Sequence, residues 1–166
     1  MNTTSHTAKE IRSFTIDHLD SLIAICKDGE AGFRSASEDV NDTHLKAVFT
    51  RFARQRAEFA DELQLCVQRL GEEPRDSATV AGKVHRGWIG LKSVLSKNDA
   101  HAVLAECERG EDEAVAAYRE VLDEAGLDST HRLLVSNQAA AVLAAHNEIR
   151  DLRDHPRYAH SKKIAY

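Results

Sequence analysis

The sequence has little proline: two residues, Pro74 and Pro156, in a chain of 166. Because proline breaks helix interiors and both prolines lie outside the helical patterns described below, long helices are able to run uninterrupted. No apolar run reaches the roughly 18 residues typical of a membrane-spanning helix. The N-terminus also lacks the apolar core of a signal peptide. These absences predict a helical protein of the cytoplasm, with no membrane partner.

Charge and cysteine content exclude further classes. The formal net charge of −5 argues against nucleic acid as a partner. Cys26, Cys66 and Cys107 are an odd number of cysteines, far apart and each on an apolar helical face, which predicts buried reduced thiols and no disulfide framework. No nucleophile elbow, phosphate-binding glycine loop or dinucleotide fingerprint is present, so no catalytic residue and no cofactor-binding loop is predicted.

Four segments carry apolar residues at helical spacing, at about residues 15–39, 43–70, 98–125 and 128–154. The first two and the last two are separated by a few residues, so each pair is predicted to be an antiparallel hairpin. The long connection at 71–97 contains an apolar stretch around Trp88, where we expect a short helix against the bundle. The pattern predicts one all-α domain over residues 1–166, a ferritin-like antiparallel four-helix bundle with a core at about 15–154 and flexible ends.

Residues suited to helix ends flank these segments. The candidate N-caps are Asp42 or Thr43, Asn98 or Asp99, and Asp128 or Ser129. Gly71 is placed to end the second helix.

Polar residues interrupt the apolar stripes near the middle of the helices. They are Glu30, Arg56, Glu111 and Gln138, with His146 at the edge of its stripe. Because the helices have similar lengths, residues near their midpoints are expected at similar depth. A buried carboxylate without a partner is very costly, so these groups must satisfy one another, a metal or water. We predict a buried polar layer made of these five residues.

Two interpretations of the layer are open. In the first, Arg56 balances the two glutamates and no metal is bound. In the second, iron or another divalent metal is bound by Glu30, Glu111 and His146, with Glu58 or Glu62 completing the ligand set. Di-iron bundles use a glutamate from each of two helices and Glu-x-x-His from each of the other two. Neither Glu-x-x-His motif is complete here, so we expect no cofactor, with the metal site as the alternative.

Two shorter features have similar alternatives. Cys26 and Cys107 each begin a Cys-x-x-Gly-Glu segment, and the repeat reflects either two related hairpins or chance. In the segment His85-Arg86-Gly87-Trp88, either the histidine and arginine form a small binding feature, or Trp88 anchors the connection and its neighbours face solvent.

The stretches LDSLIAICKDGEAGF, HRGW-x-x-LK, RGEDEAVAAY and QAAAVLAAHNEIRDLRD resemble ferritin-like four-helix-bundle proteins of proteobacteria described as a domain of unknown function. The likeness covers about residues 15–154 and implies the ferritin-like fold. A more distant likeness to ferritins and rubrerythrins implies that Glu30 and Glu111 occupy the positions of the paired iron-site glutamates.

Two hypotheses about function follow. The first is a non-enzymatic bundle that acts by assembly or partner binding, for which a homodimer is the expected assembly and stress response a setting suggested by fold class alone. The second is a metal-binding protein with a degenerate carboxylate site.

Overall fold

The structure, a computed structural model, describes residues 3–75, 88, 90–95 and 99–159, with the backbone alone at residues 3–6, 94 and 95. These residues form helices and no strand, which confirms the all-α prediction. The helices are α1 (Thr3–Asp39), α2 (Thr43–Arg69), α3 (Leu91–Leu95), α4 (Ala100–Asp123) and α5 (Ser129–Asp154). No helix in these ranges is long and apolar enough to cross a membrane.

An aspartate caps each of α2, α4 and α5, which decides between the predicted alternatives. Asp42 accepts a hydrogen bond from the backbone N–H of Leu45 at 3.0 Å, and Asp99 accepts one from Ala102 at 3.1 Å. Asp128 accepts from two N–H groups of the first turn of α5. These carboxylates satisfy N–H groups that have no partner within the helix. At the end of α2, Gly71 has φ +84°, the left-handed conformation that glycine adopts without strain.

The first helix begins earlier than predicted, and the residues after the last helix are packed where a flexible end was predicted. α1 begins at Thr3 and not near residue 15, since residues 3–14 contain no proline or glycine and extend the helix once its buried part has formed. The first residues after α5 are docked, because buried Tyr158 donates its hydroxyl to Asp42 at 3.2 Å. The final residues, 160–166, lie outside the described part.

The long helices pack side by side in a fixed pattern. α1 packs along α2 and α4 along α5, α1 also contacts α4, and α2 contacts α5. Phe14 near the start of α1 lies beside Gly126 just after α4, so these two helices are antiparallel. Consequently α2 and α4 run in the same direction, and the end of α2 and the start of α4 lie at opposite ends of the molecule. The short helix α3, in the predicted place, lies against α1 and α4.

The interior contains two apolar clusters, one on each side of a polar level. The Leu22 cluster includes Leu19, Leu22, Cys26, Leu63, Tyr118 and Val142. The Phe49 cluster includes Phe33, Phe49, Phe52, Leu104, Cys107 and Ile149. On α2, Arg56 lies between Ala53 of one cluster and Ala60 of the other, and on α4, Glu111 lies between Cys107 and Ala114. These two buried charged residues therefore lie near the middle of the molecule, between the two apolar clusters.

Candidate functional site

The centre of the site is an ion pair between α2 and α4. The Nη2 of Arg56 donates to Oε2 of Glu111 at 2.5 Å, and each side chain is 1% exposed. The other terminal nitrogen, Nη1, donates to Oε1 of Gln55 at 2.8 Å. The Arg56 guanidinium also lies 5.8 Å from the centre of the Phe59 ring. A buried charge is tolerable only with such a partner, so the two residues depend on each other.

The pair leaves two polar atoms without hydrogen bonds. Within the described residues, Nε of Arg56 and Oε1 of Glu111 are buried and have no hydrogen-bond partner. Each such atom costs about 1–3 kcal/mol relative to its state in water. The ion pair is therefore a polar feature that the apolar core accommodates at a cost.

Burial raises the pKa of Glu111 above its ordinary value. Arg56 opposes the shift by attraction and by its hydrogen bond, and His146 opposes it more weakly. The direction means that removing the carboxylate from water outweighs the attraction of the guanidinium, as expected for an ion pair inside an apolar core.

A second set of polar groups forms a hydrogen-bonded chain from the core to the surface. The Cys26 thiol lies 3.1 Å from the Tyr118 hydroxyl, and that hydroxyl donates to Oε1 of Gln138 at 2.7 Å. Since the hydroxyl proton is committed to Gln138, the thiol is the donor in the first contact. Nε2 of Gln138 donates to the carboxylate of Glu62 at 2.7 Å and to the Phe59 carbonyl at 3.4 Å. Glu62 is exposed, so the chain ends at solvent.

The two remaining residues of the predicted layer lie nearer the surface. Glu30 keeps 23% of its side chain exposed and pairs with Arg34, one turn further along α1. His146 keeps 16% exposed, and its Nε2 lies 2.7 Å from the carboxylate of Asp112 on α4. The structure thus brings Arg56 and Glu111 into contact, buries Gln138 in the separate Tyr118 chain, and pairs Glu30 and His146 with other partners.

The candidate metal ligands do not converge. Glu58 is exposed on α2 and lies 3.7 Å from Arg54, while Glu62 is bonded to Gln138. Among the residues that the structure describes, no three His, Cys, Asp or Glu side chains lie close enough together to hold a metal ion. The donors present therefore do not fit a di-iron centre in this arrangement, and we assign no metal-dependent step.

All three cysteines are free thiols in this structure. Burial raises the pKa of Cys26 to about 11, and burial also raises those of Cys107 and Cys66. Since the thiolate is the reactive form, these thiols are poor nucleophiles. Cys66 is the half-buried one of the three.

Three glycines within helices, including those of the two Cys-x-x-Gly-Glu segments, were not identified as site residues from the sequence. Gly29 faces the Arg56 side chain, whereas Gly110 and Gly32 face the ring of Trp88, where a Cβ atom on either glycine would overlap the indole. Trp88 also meets Phe33 edge to face, with ring centres 5.0 Å apart. The available signal was glycine in the middle of a helix, which costs about 1 kcal/mol against alanine and needs a packing reason. His85 and Arg86 lie outside the described residues.

A buried carboxylate on α1 was also missed. Asp20 is 3% exposed and accepts a hydrogen bond at 3.2 Å from the backbone N–H of Arg75, which follows α2. Burial raises the pKa of Asp20, and Arg75 opposes the shift. This contact ties the chain after α2 back to α1. Its sequence signal was a charge immediately after the apolar stripe position Leu19.

Comparison with known proteins gives one family. A search of curated proteins finds no match to the chain. The sequence profile of a family described as a domain of unknown function, DUF2383, matches residues 14–124. The match spans α1 from Phe14 onward, α2 and α4, and it includes both residues of the central ion pair. Because it covers more than half of the 166 residues, the chain belongs to the DUF2383 family.

Proposed function

We propose that this chain is a ferritin-like four-helix-bundle protein in which a buried ion pair, Arg56 with Glu111, takes the place of a complete di-iron site. It acts through its surface, by assembly or partner binding, and not by catalysis. The observation that carries the proposal is the ion pair of Arg56 and Glu111, in which each side chain is only 1% exposed. A role in stress response stays a prediction from fold class.

The guanidinium supports a structural role for the interior. Arg56 places a positive charge beside Glu111, the one fully buried carboxylate of the candidate ligands. A divalent cation at Glu111 would have to approach that charge in a low-dielectric interior, where like charges repel strongly. Arg56 thus supplies the neutralisation that a metal ion supplies in a carboxylate-rich bundle.

The helix pairing supports the ferritin-like assignment. Two helical hairpins pack together with α1 antiparallel to α4, and α2 joins α4 from the opposite end of the molecule through a long connection. A single long crossover between two hairpins is the topology of ferritin-like bundles.

A double-mutant cycle tests whether the pair holds the interior. Arg56→Met leaves Glu111 buried without its cation and is expected to lower the unfolding free energy by about 3–5 kcal/mol. Adding Glu111→Leu should restore most of that loss, because an apolar pair needs no charge compensation. The matched control is Arg51→Met, which removes the exposed pair with Glu148 and should cost about 0–1 kcal/mol. Equal losses for the two single arginine variants would contradict the proposal.

Elemental analysis tests the absence of a metal function. Untagged protein is measured as purified and again after anaerobic incubation with iron(II) and desalting. The proposal expects metal far below one ion per chain with the helical content intact. About two ions per chain, as in di-iron carboxylate bundles, would overturn it.

A metal-binding function is the second candidate, and one observation favours it. Oε1 of Glu111 is buried and has no hydrogen-bond partner among the described residues, so a cation would satisfy it. Glu30, His146 and Glu62 would then have to leave Arg34, Asp112 and Gln138, respectively. If this function is correct, bound iron is lost in Glu111→Gln and retained in Glu148→Gln, which changes a partly exposed glutamate outside the candidate ligand set.

A further inference from the structure

Helix α5 carries two stripes at helical spacing on nearly opposite sides. The inner stripe faces the core and consists of Val135, Gln138, Val142, Ala145 and Ile149. The outer stripe, here called the outer seam, consists of Leu133, Ser136, Ala140, Leu143 and Asn147. Both follow the alternating three- and four-residue spacing of packed helices. Four outer-seam residues are exposed and Asn147 is half-buried, so the described part of the chain leaves this seam largely uncovered.

The outer seam lacks the charges expected of an exposed helix face. Residues 133–147 contain no Asp, Glu, Lys or Arg, although 30% of the whole chain is charged. Leu133 is 64% exposed and Leu143 is 45% exposed, and they are two of the four large apolar side chains exposed in the described residues. A helix with apolar and small residues on both sides is typical of one that is buried on both sides.

The seam borders a groove between α4 and α5. Ala140 and Leu143 line one side of the groove, and Val115 and Leu122 line the other. The charged groups of the lining are Arg119 and Asp123, one turn apart on α4. Neither makes an ion pair within four ångströms among the residues that the structure describes. An exposed arginine and an exposed aspartate therefore lie next to an apolar surface, and neither is held in an ion pair by another described residue.

We propose that the outer seam and this groove are the homodimer interface, occupied by the same surface of a second copy. The inference rests on the proposed function, whose assembly it specifies. In a two-fold symmetric interface the same patch meets itself, so the patch has to be complementary to itself. The seam meets this requirement by its apolar and small residues, which allow two α5 helices to approach closely.

The flanking charges favour a second copy over an unrelated partner as the occupant of this surface. If the two-fold axis passes between positions 119 and 123 of α4, Arg119 of each protomer lies opposite Asp123 of the other, and the two cations and two anions form two ion pairs. An unrelated partner would have to supply its own anion and cation at matching positions. The uncharged length of 15 residues corresponds to about 22 Å of helix, enough for four turns of contact.

The first test measures the mass of the full chain in solution by light scattering over a wide range of concentration. Wild type is expected at twice the chain mass. Leu143→Glu places a charge in the seam and should raise the dimer dissociation constant at least about tenfold, with helical content unchanged because Leu143 is exposed in the protomer. The matched control is Leu65→Glu on α2, an exposed leucine outside the seam, which should remain dimeric.

A charge exchange tests the orientation. Arg119→Asp alone and Asp123→Arg alone each place like charges together and should weaken the dimer, whereas the double exchange should recover it. A monomeric wild type, a dimer unaffected by Leu143→Glu, or capture of a different protein by a monomeric chain would overturn the inference. None of these outcomes changes the metal content or the Arg56 cycle, so failure here is distinguishable from failure of the proposed function.

Discussion

Gly29 of α1 lies directly against the Arg56 side chain of α2: a Cβ atom at position 29 would stand 3.2 Å from Cγ and 3.3 Å from Cδ of Arg56. The missing side chain gives the arginine stem room to cross the interface and reach Glu111. The glycine inside α1 therefore provides the space that the buried arginine side chain occupies.

Replacing this glycine tests the relationship. Gly29→Ala is expected to lower the unfolding free energy by about 1–3 kcal/mol through overpacking, even though alanine favours the helix by about 1 kcal/mol. The loss is measured by urea denaturation. In an Arg56→Met background the same change should cost less, because the thioether chain is more adaptable than the paired arginine. Equal costs in both backgrounds would show that Arg56 does not set the fit.

The Trp88 ring packs in a slot left open by the missing side chains of Gly32 and Gly110, and this slot provides a spectroscopic prediction. Trp88 is the only tryptophan in the chain, so fluorescence reports on it alone. In Gly110→Ala the new Cβ overlaps the indole, so Trp88 is expected to leave the slot and its emission to shift to longer wavelength. Gly126→Ala, whose Cβ would contact Phe14 at 2.8 Å, is the control and should leave the emission unchanged. An unshifted spectrum in Gly110→Ala would contradict the slot.

The raised pKa of Glu111 predicts a pH dependence of stability. The folded protein binds the Glu111 proton more tightly than the unfolded chain does, so this contribution to stability is complete below the unfolded pKa and is lost as pH rises through the folded pKa. The advantage of wild type over Glu111→Gln should therefore shrink as pH rises from about 4 toward neutrality. Urea denaturation across this range measures it.

The pKa values of two other carboxylates are shifted in the opposite direction, and these carboxylates provide the control. Hydrogen bonds from helix N-termini lower the pKa values of Asp42 and Asp128, so their contribution is present above the unfolded pKa and lost as pH falls through the folded one. Asp128→Asn should therefore reduce the loss of stability in acid and leave the Glu111-dependent trend unaltered. A constant difference between wild type and Glu111→Gln at all pH values would refute the assignment.

The Tyr118 hydroxyl is predicted to matter more than the Tyr158 hydroxyl. Tyr118→Phe leaves Oε1 of Gln138 and the Cys26 thiol without their partner in the core, so the unfolding free energy should fall by about 1–3 kcal/mol. Tyr158→Phe removes one bond to Asp42, which keeps its bond from Leu45 and should cost only about 0.5–1.5 kcal/mol. Thermal or urea unfolding compares the two. A Tyr118 variant as stable as the Tyr158 variant would mean that the buried hydrogen bonds of Tyr118 add little to the unfolding free energy.

Much of the fold could be predicted from the sequence because helix formation is encoded locally. Apolar spacing located four long helices, aspartates marked three of their starts, and Gly71 marked the end of α2. The start of α1 was placed too late because an exposed helical extension has no apolar stripe to reveal it. The burial of Arg56, Glu111 and Gln138 follows directly from their positions on the stripes.

The sequence by itself determined which face of each long helix enters the core, since burial follows the helical period. Only the tertiary structure decided which polar residues on those faces are fully buried and which of them meet. Glu30 and Glu111 occupy equal places in the same five-residue pattern, yet Glu111 pairs with Arg56 in the interior and Glu30 with Arg34 at the edge. A single guanidinium at this level lies close enough to neutralise one carboxylate. The rotation of each helix about its axis, which depends on packing along its whole length, decided which one that was.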